Sequence, residues 1–286
     1  MQSDRLKTGG LINRGRPLHF TFNGRTYQGY EGDTLASALL ANGVRLTARS
    51  FKYHRPRGIV GSGVEEPSTL VELLGEDASA NRPATTVPLR DGLAASSVNC
   101  WPSPSFDLGG INQLISRFIP AGFYYKTFKW PNWHLYEPSI RKAAGLAAAP
   151  ASPPKLGHFE NRFAHCDLLI AGAGPAGLMA ALVAGRAGLR VMIADEGMLP
   201  GGSLLNRKLT IDGQPALDWV TLATDELSGM HNVTHLQNAT VWAYREHNLI
   251  CVNERRPGHA TLLERNWRIR AGEVILATGA IERHLA

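Results

Sequence analysis

The most marked hydrophobic pattern in the chain is an uncharged run of 18 residues, Leu168–Gly185. By length alone it would suit a membrane span. Its first residues form an apolar run of strand length, which Gly172, Gly174, Pro175 and Gly177 then interrupt. Glycine and proline at this density favour a tight turn. The pattern therefore predicts a buried strand, a turn and a buried helix, and we expect no membrane span.

The elements after this run alternate between strand and helix patterns. A second strand is predicted at Leu189–Ala194 and an amphipathic helix at Ala216–Leu227. Further strands, separated by polar turns, are predicted at Thr240–Tyr244, Leu249–Asn253, Asn266–Arg270 and Glu273–Ala280. This order is typical of a Rossmann-type FAD/NAD(P)-binding domain with a three-stranded meander before its last strand.

The N-terminal pattern is a hairpin followed by a helix. Strands are predicted at His19–Phe22 and Arg25–Gly29, joined by the two-residue turn Asn23-Gly24. We expect Asp33 to cap a helix at Thr34–Ala41, which the dipeptide Asn-Gly then ends. A hairpin followed by a helix is how a β-grasp, ferredoxin-like domain begins.

Composition divides the chain into three expected parts. Residues 11–100 make the β-grasp domain, with one more strand-like piece near Thr86–Leu89; residues 101–154 form a connector; residues 155–286 form the Rossmann-type domain. Ten of the 22 aromatic residues fall within 101–136, too many for a solvated linker. We expect this segment to pack against this chain or a partner subunit, and Ala143–Pro154 to be the true linker. The expected fold class is α/β.

Charge is uneven along the chain. The formal net charge is +6, with 17 basic and 11 acidic residues in 1–150 and 13 of each in 151–286. Residues 45–57 contain five basic residues and no acid, namely Arg45, Arg49, Lys52, Arg55 and Arg57. Arginine side chains suit carboxylates and phosphates, so this basic loop is either a solvated loop or a partner surface. Because the loop is short and Glu65-Glu66 follows it, we expect no nucleic-acid binding.

The three cysteines are widely spaced, at Cys100, Cys166 and Cys251. No Cys-x-x-Cys pair exists, and the expected cluster loop, Phe51–Val64, has no cysteine. We therefore expect no iron–sulfur cluster, no metal site and no disulfide, and reduced thiols in a cytoplasmic protein. No nucleophile–base constellation is present among the scattered histidines either, so no catalytic residue is assigned.

The glycines of the uncharged run carry the chemistry. Gly172 permits the tight turn, Gly174 allows close approach of a diphosphate, and Gly177 allows helix and strand to pack closely. Asp195 ends the second strand 18 residues after Gly177, close to the spacing of about 20 at which an acid binds a ribose hydroxyl. An acid at this position favours NAD or FAD over NADP. Gly202 and Ser203, then Thr278 and Gly279, are expected to approach the same cofactor.

Several motifs together resemble the α subunit of heterotetrameric sarcosine oxidase. They are Gly32–Gly43, Arg49–Gly58, Gly122–Phe128 and the fingerprint Gly172–Gly177. The resemblance runs from about Leu11 onward. It implies a cytoplasmic flavoenzyme with β, γ and δ subunits that oxidatively demethylates sarcosine, yielding glycine, H₂O₂ and formaldehyde, the last captured on tetrahydrofolate.

The resemblance also implies the cofactors. FAD in the β subunit oxidises the amine, FMN lies between α and β, and NAD occupies the glycine-fingerprint domain of the α subunit. The implied NAD contacts, beside the fingerprint glycines and Pro175, are Ala176, Asp195, Glu196, Gly197, Ser203 and Val241. From the residues alone, NAD and FAD remain alternatives.

Two other interpretations stay open. One is an α-type subunit of a related enzyme, such as an opine oxidase or hydrogen cyanide synthase, which usually keeps cluster cysteines. The other is a non-catalytic assembly module that holds the β subunit through the basic loop and the aromatic segment. Because the chain ends soon after Thr278-Gly279, at Arg283-His284-Leu285-Ala286, we expect a partial dinucleotide domain without complete oxidase activity.

Overall fold

The computed structural model describes residues 4–75, 78–114, 122, 127–144, 159–256 and 262–280. Contacts divide the chain into two compact units, within Met1–Pro154 and Lys155–Glu282. Phe118, Phe123, Tyr124 and Tyr125 of the aromatic segment lie outside the described residues. So do most of the predicted linker Ala143–Pro154 and the C-terminal residues from Ile281 onward.

The first unit contains seven strands and two helices in the described residues. They are β1 Asn13–Phe22, β2 Arg25–Glu31, α1 Leu35–Ala41, β3 Leu46–Arg49, β4 Pro56–Gly58, β5 Leu70–Leu74, β6 Ser79–Pro83, β7 Leu93–Ser97 and α2 Trp133–Ala144. Five strands form a sheet in the order β2-β1-β7-β5-β6. The pair β1–β7 is parallel and the other pairs are antiparallel.

The predicted N-terminal hairpin is confirmed. Strands β1 and β2 pair in register up to Phe22 and Arg25, and Asn23 and Gly24 both have positive φ, 50° and 75°. A two-residue turn of this geometry matches the right-handed twist of the strands it joins. The hairpin places Phe20 against the face of α1 that buries Leu35 and Leu39.

The predicted helix cap is wrong by one residue. Thr34, not Asp33, caps α1, because the Thr34 hydroxyl accepts from Ser37 N–H at 3.1 Å. The Asp33 carboxylate is buried and instead accepts from Ser37 Oγ, Tyr30 N and the Arg5 guanidinium. The ion pair with Arg5, which is distant in sequence, holds the Asp33 carboxylate, and a rule based on neighbouring residues does not include such a contact.

The strand-like piece predicted near Thr86–Leu89 forms one isolated antiparallel bridge, between Thr34 and Pro88, and is not a strand of any described sheet. The chain makes a 3₁₀ turn at Ala84–Thr86, and the following residues bond to the start of α1. Leu35 N donates to Val87 O at 2.9 Å, and Leu89 N donates to Asp33 O at 2.8 Å. These backbone bonds hold an extended piece beside the helix instead of extending a sheet.

The second unit contains eight strands and two helices in the described residues. They are β8 Phe159–Ala171, α3 Pro175–Arg186, β9 Val191–Ala194, β10 Thr210–Ile211, β11 Gln214–Pro215, α4 Ala216–Gly229, β12 Val233–Leu236, β13 Ala239–Arg245, β14 Leu249–Arg255 and β15 Glu264–Leu276. Six strands form a sheet in the order β12-β9-β8-β15-β14-β13. The four neighbouring strands β12, β9, β8 and β15 are parallel to one another. Strand β14 pairs antiparallel with β15, and β13 pairs antiparallel with β14.

The strand–turn–helix predicted from the uncharged run is confirmed. The apolar residues Leu169–Ala171 end β8 inside the sheet, and Leu178, Ala181 and Leu182 of α3 pack over it. The strands predicted at Asn266–Arg270 and Glu273–Ala280 differ from the structure, because both belong to β15 as far as Leu276. This strand pairs with β8 along nearly its full length. The meander of β13, β14 and β15 is therefore part of the same sheet as the parallel strands.

Among the described residues, none of the helices combines the length and the apolar composition that crossing a bilayer requires.

Candidate functional site

The glycine turn between β8 and α3 is built on close backbone contacts. Gly172 has φ +106°, and a Cβ there would collide with the carbonyl oxygen of Ala277. A Cβ on Gly177 would collide with the carbonyl oxygen of Gly172. Both positions therefore require glycine, as predicted from the motif. The close packing brings the start of α3 directly over the end of β8.

The first turn of α3 is open to an anion. Gly174 stands at the N-cap position, Pro175 begins the helix, and no side chain caps the first turn. Helix N-termini carry free amides and a partial positive charge, which favour phosphate groups. Ala176, at the exposed start of the helix, lies in this same turn. The geometry fits a diphosphate lying against backbone.

A second glycine loop closes onto the turn. Gly201 N donates to Ala173 O at 2.8 Å, and a Cβ on Gly202 would come within 3.0 Å of Gly174 Cα. Ser203 follows in the 3₁₀ turn Gly202–Leu205 and is exposed. The structure thus brings the predicted residues Gly202 and Ser203 to the fingerprint turn.

The end of β15 reaches the same turn from the neighbouring strand. Ala277 N donates to Ala171 O at 2.8 Å, which continues the β8–β15 pairing past Leu276. Thr278 and Gly279 come next and are exposed. The segment that carries Thr278 and Gly279 therefore lies beside the glycine turn, as the sequence predicts. The sequence analysis did not single out Ala277, although its carbonyl oxygen sets the requirement for glycine at 172.

Asp195 is the charged group at the centre of the site. Its Oδ2 accepts from Ala173 N at 2.6 Å, and its Oδ1 accepts from Gly197 N at 2.7 Å. The carboxylate therefore ties the glycine turn to the turn after β9. Each carboxylate oxygen has about two acceptor sites, so the remaining lone pairs are available to a ligand hydroxyl. The sequence does not predict these two hydrogen bonds to backbone amides, because they depend on β9 lying beside β8.

The remaining predicted contacts lie on the segments that Asp195 organises. Glu196 and Gly197 form the turn after β9 and are half-buried. Asn238 N donates to Gly197 O at 3.2 Å, and Ala239 N donates to Asp195 O at 2.7 Å. Val241 lies two residues further along β13. As binding residues, all thirteen predicted positions stay predictions.

His235 is a neighbour of the site that the sequence analysis did not select. It lies on β12, and its buried Nε2 has no hydrogen-bond partner among the residues that the structure describes. Burial lowers the pKa of His235 below its usual 6.5, and the nearby Asp195 carboxylate offsets part of this effect. The imidazole is therefore held in its neutral form beside the acidic group.

Asp167, four residues before the end of β8, forms an ion pair with Arg190. Arg190 Nη2 donates to Asp167 Oδ1 at 2.6 Å. Hydrogen bonds from Arg190 lower the pKa of Asp167 to about 2. Burial, by contrast, raises the pKa of the Cys166 thiol to about 11. A thiol with this pKa stays protonated at neutral pH and is inert as a nucleophile.

Two protein families match parts of the chain. Residues 15–100 match the family described as 2Fe-2S iron-sulfur cluster binding domain. Residues 166–286 match the family described as Pyridine nucleotide-disulphide oxidoreductase. The predicted fold class, a ferredoxin-like β-grasp domain followed by a Rossmann-type FAD/NAD(P)-binding domain, is thereby confirmed.

The first of these matches corrects one expectation. We expected no iron–sulfur cluster, and the match to a cluster-binding family contradicts that expectation, which is wrong. A [2Fe–2S] cluster is normally held by four cysteine thiolates. The matched residues contain one cysteine, Cys100, and the other two, Cys166 and Cys251, are buried in the second unit. These cysteines do not supply such a ligand set, and no step of the proposed function runs through a cluster.

Relatives match the chain from end to end. Sarcosine oxidase subunit alpha of Rhizobium meliloti is 53% identical over 100% of this chain and 30% of the relative. The subunit alpha of Corynebacterium sp. (strain U-96) is 35% identical over 96% of this chain and 25% of the relative. The predicted resemblance is confirmed, and the chain spans less than a third of the length of either relative.

A solved structure supports the fold. The crystal structure of L-proline dehydrogenase from P. horikoshii superposes with a TM-score of 0.60 at 20% identity, covering 96% of this chain and 43% of that one. At this identity the likeness concerns the fold alone. The match supports the α/β fold of the chain.

Proposed function

We propose that this chain, which resembles the N-terminal part of sarcosine oxidase α subunits over its whole length, binds NAD in its second unit. One observation carries the proposal. The Asp195 carboxylate lies 2.6 Å from the Ala173 amide of the glycine turn. An acid held beside an uncapped helix N-terminus places a ribose-binding group and a diphosphate-binding group side by side.

The chain's residues divide the work of holding the dinucleotide. The amides at the start of α3 face the diphosphate, and Gly174 lets the backbone approach it, while Gly172 and Gly177 allow the tight turn and the close helix packing. Asp195, already fixed by two backbone amides, accepts from ribose hydroxyls. A carboxylate would repel a 2′-phosphate, which favours NAD over NADP. Glu196, Gly197, Ser203 and Val241 complete the proposed contacts.

We further propose that the chain acts within a multi-subunit oxidase. In that assembly, with β, γ and δ subunits, sarcosine, O₂ and water yield glycine, formaldehyde and H₂O₂, with the formaldehyde passed to tetrahydrofolate. FAD and FMN supply the oxidative chemistry. The described residues of this chain are given no catalytic role, and their contribution is to bind and orient NAD.

The nucleotide itself provides the test. The complete protein that carries this chain is purified, denatured and extracted, and the released nucleotides are separated by chromatography and identified by mass. We expect NAD in addition to flavins, and less NAD from an Asp195→Ala variant. Asp225→Ala serves as the control, because Asp225 is exposed on α4, where alanine is well tolerated. Release of flavins alone from the wild type would refute NAD binding.

A further inference from the structure

Residues 101–113 are anchored on the basic loop by polar contacts. His54 Nδ1 and Asp107 Oδ2 lie 2.7 Å apart, with both side chains largely shielded from solvent. Arg49 Nε donates to Pro104 O at 2.7 Å, and Asn112 Nδ2 donates to Lys52 O at 3.3 Å. The two segments, distant in sequence, therefore form one continuous surface.

The anchoring uses polar groups and leaves apolar side chains outside. Leu108 N donates to Trp101 O at 2.8 Å, which folds the segment back on itself without covering either side chain. Six large apolar residues of the basic loop and of residues 101–114 are each about half or more exposed: Phe51, Trp101, Phe106, Leu108, Ile111 and Leu114. We call them the apolar surface. Of the two placements expected for the aromatic segment, packing against this chain does not apply to Trp101 and Phe106, which are 69% and 66% exposed.

An exposed patch of this composition indicates an interaction site. Soluble proteins seldom leave several large apolar side chains together in water unless a partner covers them. Aromatic residues and arginine are also the types enriched in interface cores. The surface has both, since Arg55 stacks on Tyr53 at 5.1 Å beside Phe51.

The charges around the apolar surface define the partner. Arg57 is exposed and makes no ion pair within the part of the chain that the structure describes. The Glu66 carboxylate does not pair with the arginines of the loop, because it is buried and accepts from Val60 N, Gly61 N and Ser68 N. A face with net positive charge and an apolar centre is complementary to an acidic face with an apolar centre.

We propose that the apolar surface and the basic loop together dock an acidic face of a non-identical subunit. This inference rests on the proposed function only in taking the partner from the same enzyme. A second copy of this chain fits poorly, because the whole +6 net charge lies in residues 1–150 and two such faces would repel. Nucleic acid fits poorly as well, because three of the six exposed side chains are aliphatic and offer no stacking surface for bases.

The test measures assembly of the complete protein with its β subunit. Ile111→Glu places a charge within the apolar surface, and Arg57→Glu reverses a charge in the basic loop. Two matched controls exist: Leu222→Glu, because Leu222 in α4 is as exposed as Ile111 at 64%, and Arg25→Glu on the exposed hairpin. Affinity for purified β subunit is measured by surface plasmon resonance at two salt concentrations.

We expect Ile111→Glu to weaken binding about tenfold or more, because it would bury a charge in an apolar contact. Arg57→Glu should slow association and reduce its salt dependence, while both controls bind like the wild type. Equal affinity of all four variants would overturn the proposal. So would a change in self-association of the chain, or in binding to a single-stranded RNA probe, with β-subunit affinity unchanged.

Release of NAD from the same samples separates this inference from the proposed function. If NAD is absent but the surface variants lose the β subunit, the docking proposal stands and the nucleotide assignment fails. If NAD is present and no variant changes β-subunit binding, the reverse holds.

Discussion

The double hydrogen bond of Asp195 leads to a prediction that separates two roles of this carboxylate. Asp195→Asn keeps the size and shape of the side chain and removes its charge. The carboxylate accepts from Ala173 N and Gly197 N on its two different oxygens. Asparagine has one acceptor oxygen and an NH₂ group that only donates. One backbone amide of the variant therefore faces a donor instead of an acceptor.

The magnitude follows from the lost bond. A hydrogen bond to a charged group contributes about 1.5–3 kcal/mol, and a buried donor left without an acceptor costs about 1–3 kcal/mol. Both bonds are only partly buried, so we expect the free energy of unfolding to fall by about 1–2 kcal/mol. For proteins of roughly this size, each kcal/mol lowers the melting temperature by about 2–4 °C.

The assay is thermal unfolding of nucleotide-free protein, followed by circular dichroism, for the wild type, Asp195→Asn and the control Asp212→Asn. Asp212 lies in an exposed turn with φ 50°, a conformation that asparagine tolerates well. We expect the control to melt with the wild type and Asp195→Asn to melt several degrees lower. The experiment is then repeated with added NAD, where Asp195→Asn should show a smaller stabilisation by the ligand.

The reasoning is refuted if Asp195→Asn melts with the wild type in the absence of nucleotide. That outcome would mean that the carboxylate does not hold the glycine turn. A variant that is unstable without NAD yet gains the full ligand stabilisation would keep the structural role of Asp195 and remove its ribose contact.

Three further changes test other parts of the second unit. Gly177→Ala should lower the free energy of unfolding by about 1–3 kcal/mol through overpacking, because its Cβ meets the Gly172 carbonyl oxygen; equal chemical denaturation midpoints would contradict this contact. Arg190 lowers the pKa of Asp167 from 3.8 to about 2, so this pair should stabilise the fold above pH 4 and lose its effect as the pH falls toward 2. Asp167→Asn should reduce the dependence of the free energy of unfolding on pH in that range, and an unchanged dependence would count against the pair. Burial lowers the pKa of His235, so the unfolded state takes up the proton first and stability should fall as the pH drops below 6.5; His235→Gln should reduce that slope, and an identical slope would show that other groups cause it.

The strand–turn–helix of the second unit could be predicted because its information is local. The uncharged run Leu168–Gly185 fixes the burial of both elements, and the glycine spacing fixes the turn between them. The N-terminal hairpin is similar, since Asn23-Gly24 has few other uses between two strands. These segments obey rules that need only a few neighbouring residues.

The sequence predictions differ from the structure where contacts between residues distant in sequence determine the local conformation. Asp33 was expected to cap α1, but Arg5 binds its carboxylate and leaves the cap to Thr34. The extended piece near Thr86–Leu89 bonds to the start of α1 and joins no sheet. In each case a contact across the fold overrides a sound local preference. The sequence offers no signal for such a contact unless the sheet order is already known.

The candidate site shows the same division. Spacing predicts the glycines and Asp195, but glycine is required at 172 by the Ala277 carbonyl just after β15. The partners of Asp195, Ala173 N and Gly197 N, follow β8 and β9. Strand order β9-β8-β15 creates these contacts. The candidate residues of a dinucleotide site can thus be predicted from sequence, whereas the hydrogen bonds between them can be predicted only when the strand order of the sheet is known.

These bonds have a consequence for how a dinucleotide is bound. Because Asp195 already accepts from Ala173 and Gly197, its carboxylate is oriented before any ribose arrives, and the glycine turn is fixed by the same contacts. A ligand then has little side-chain freedom to remove, and more of its interaction energy appears as affinity. The carboxylate that recognises the ribose is therefore also the group that keeps the diphosphate-binding turn in place. Loss of Asp195 should weaken both ends of the site together.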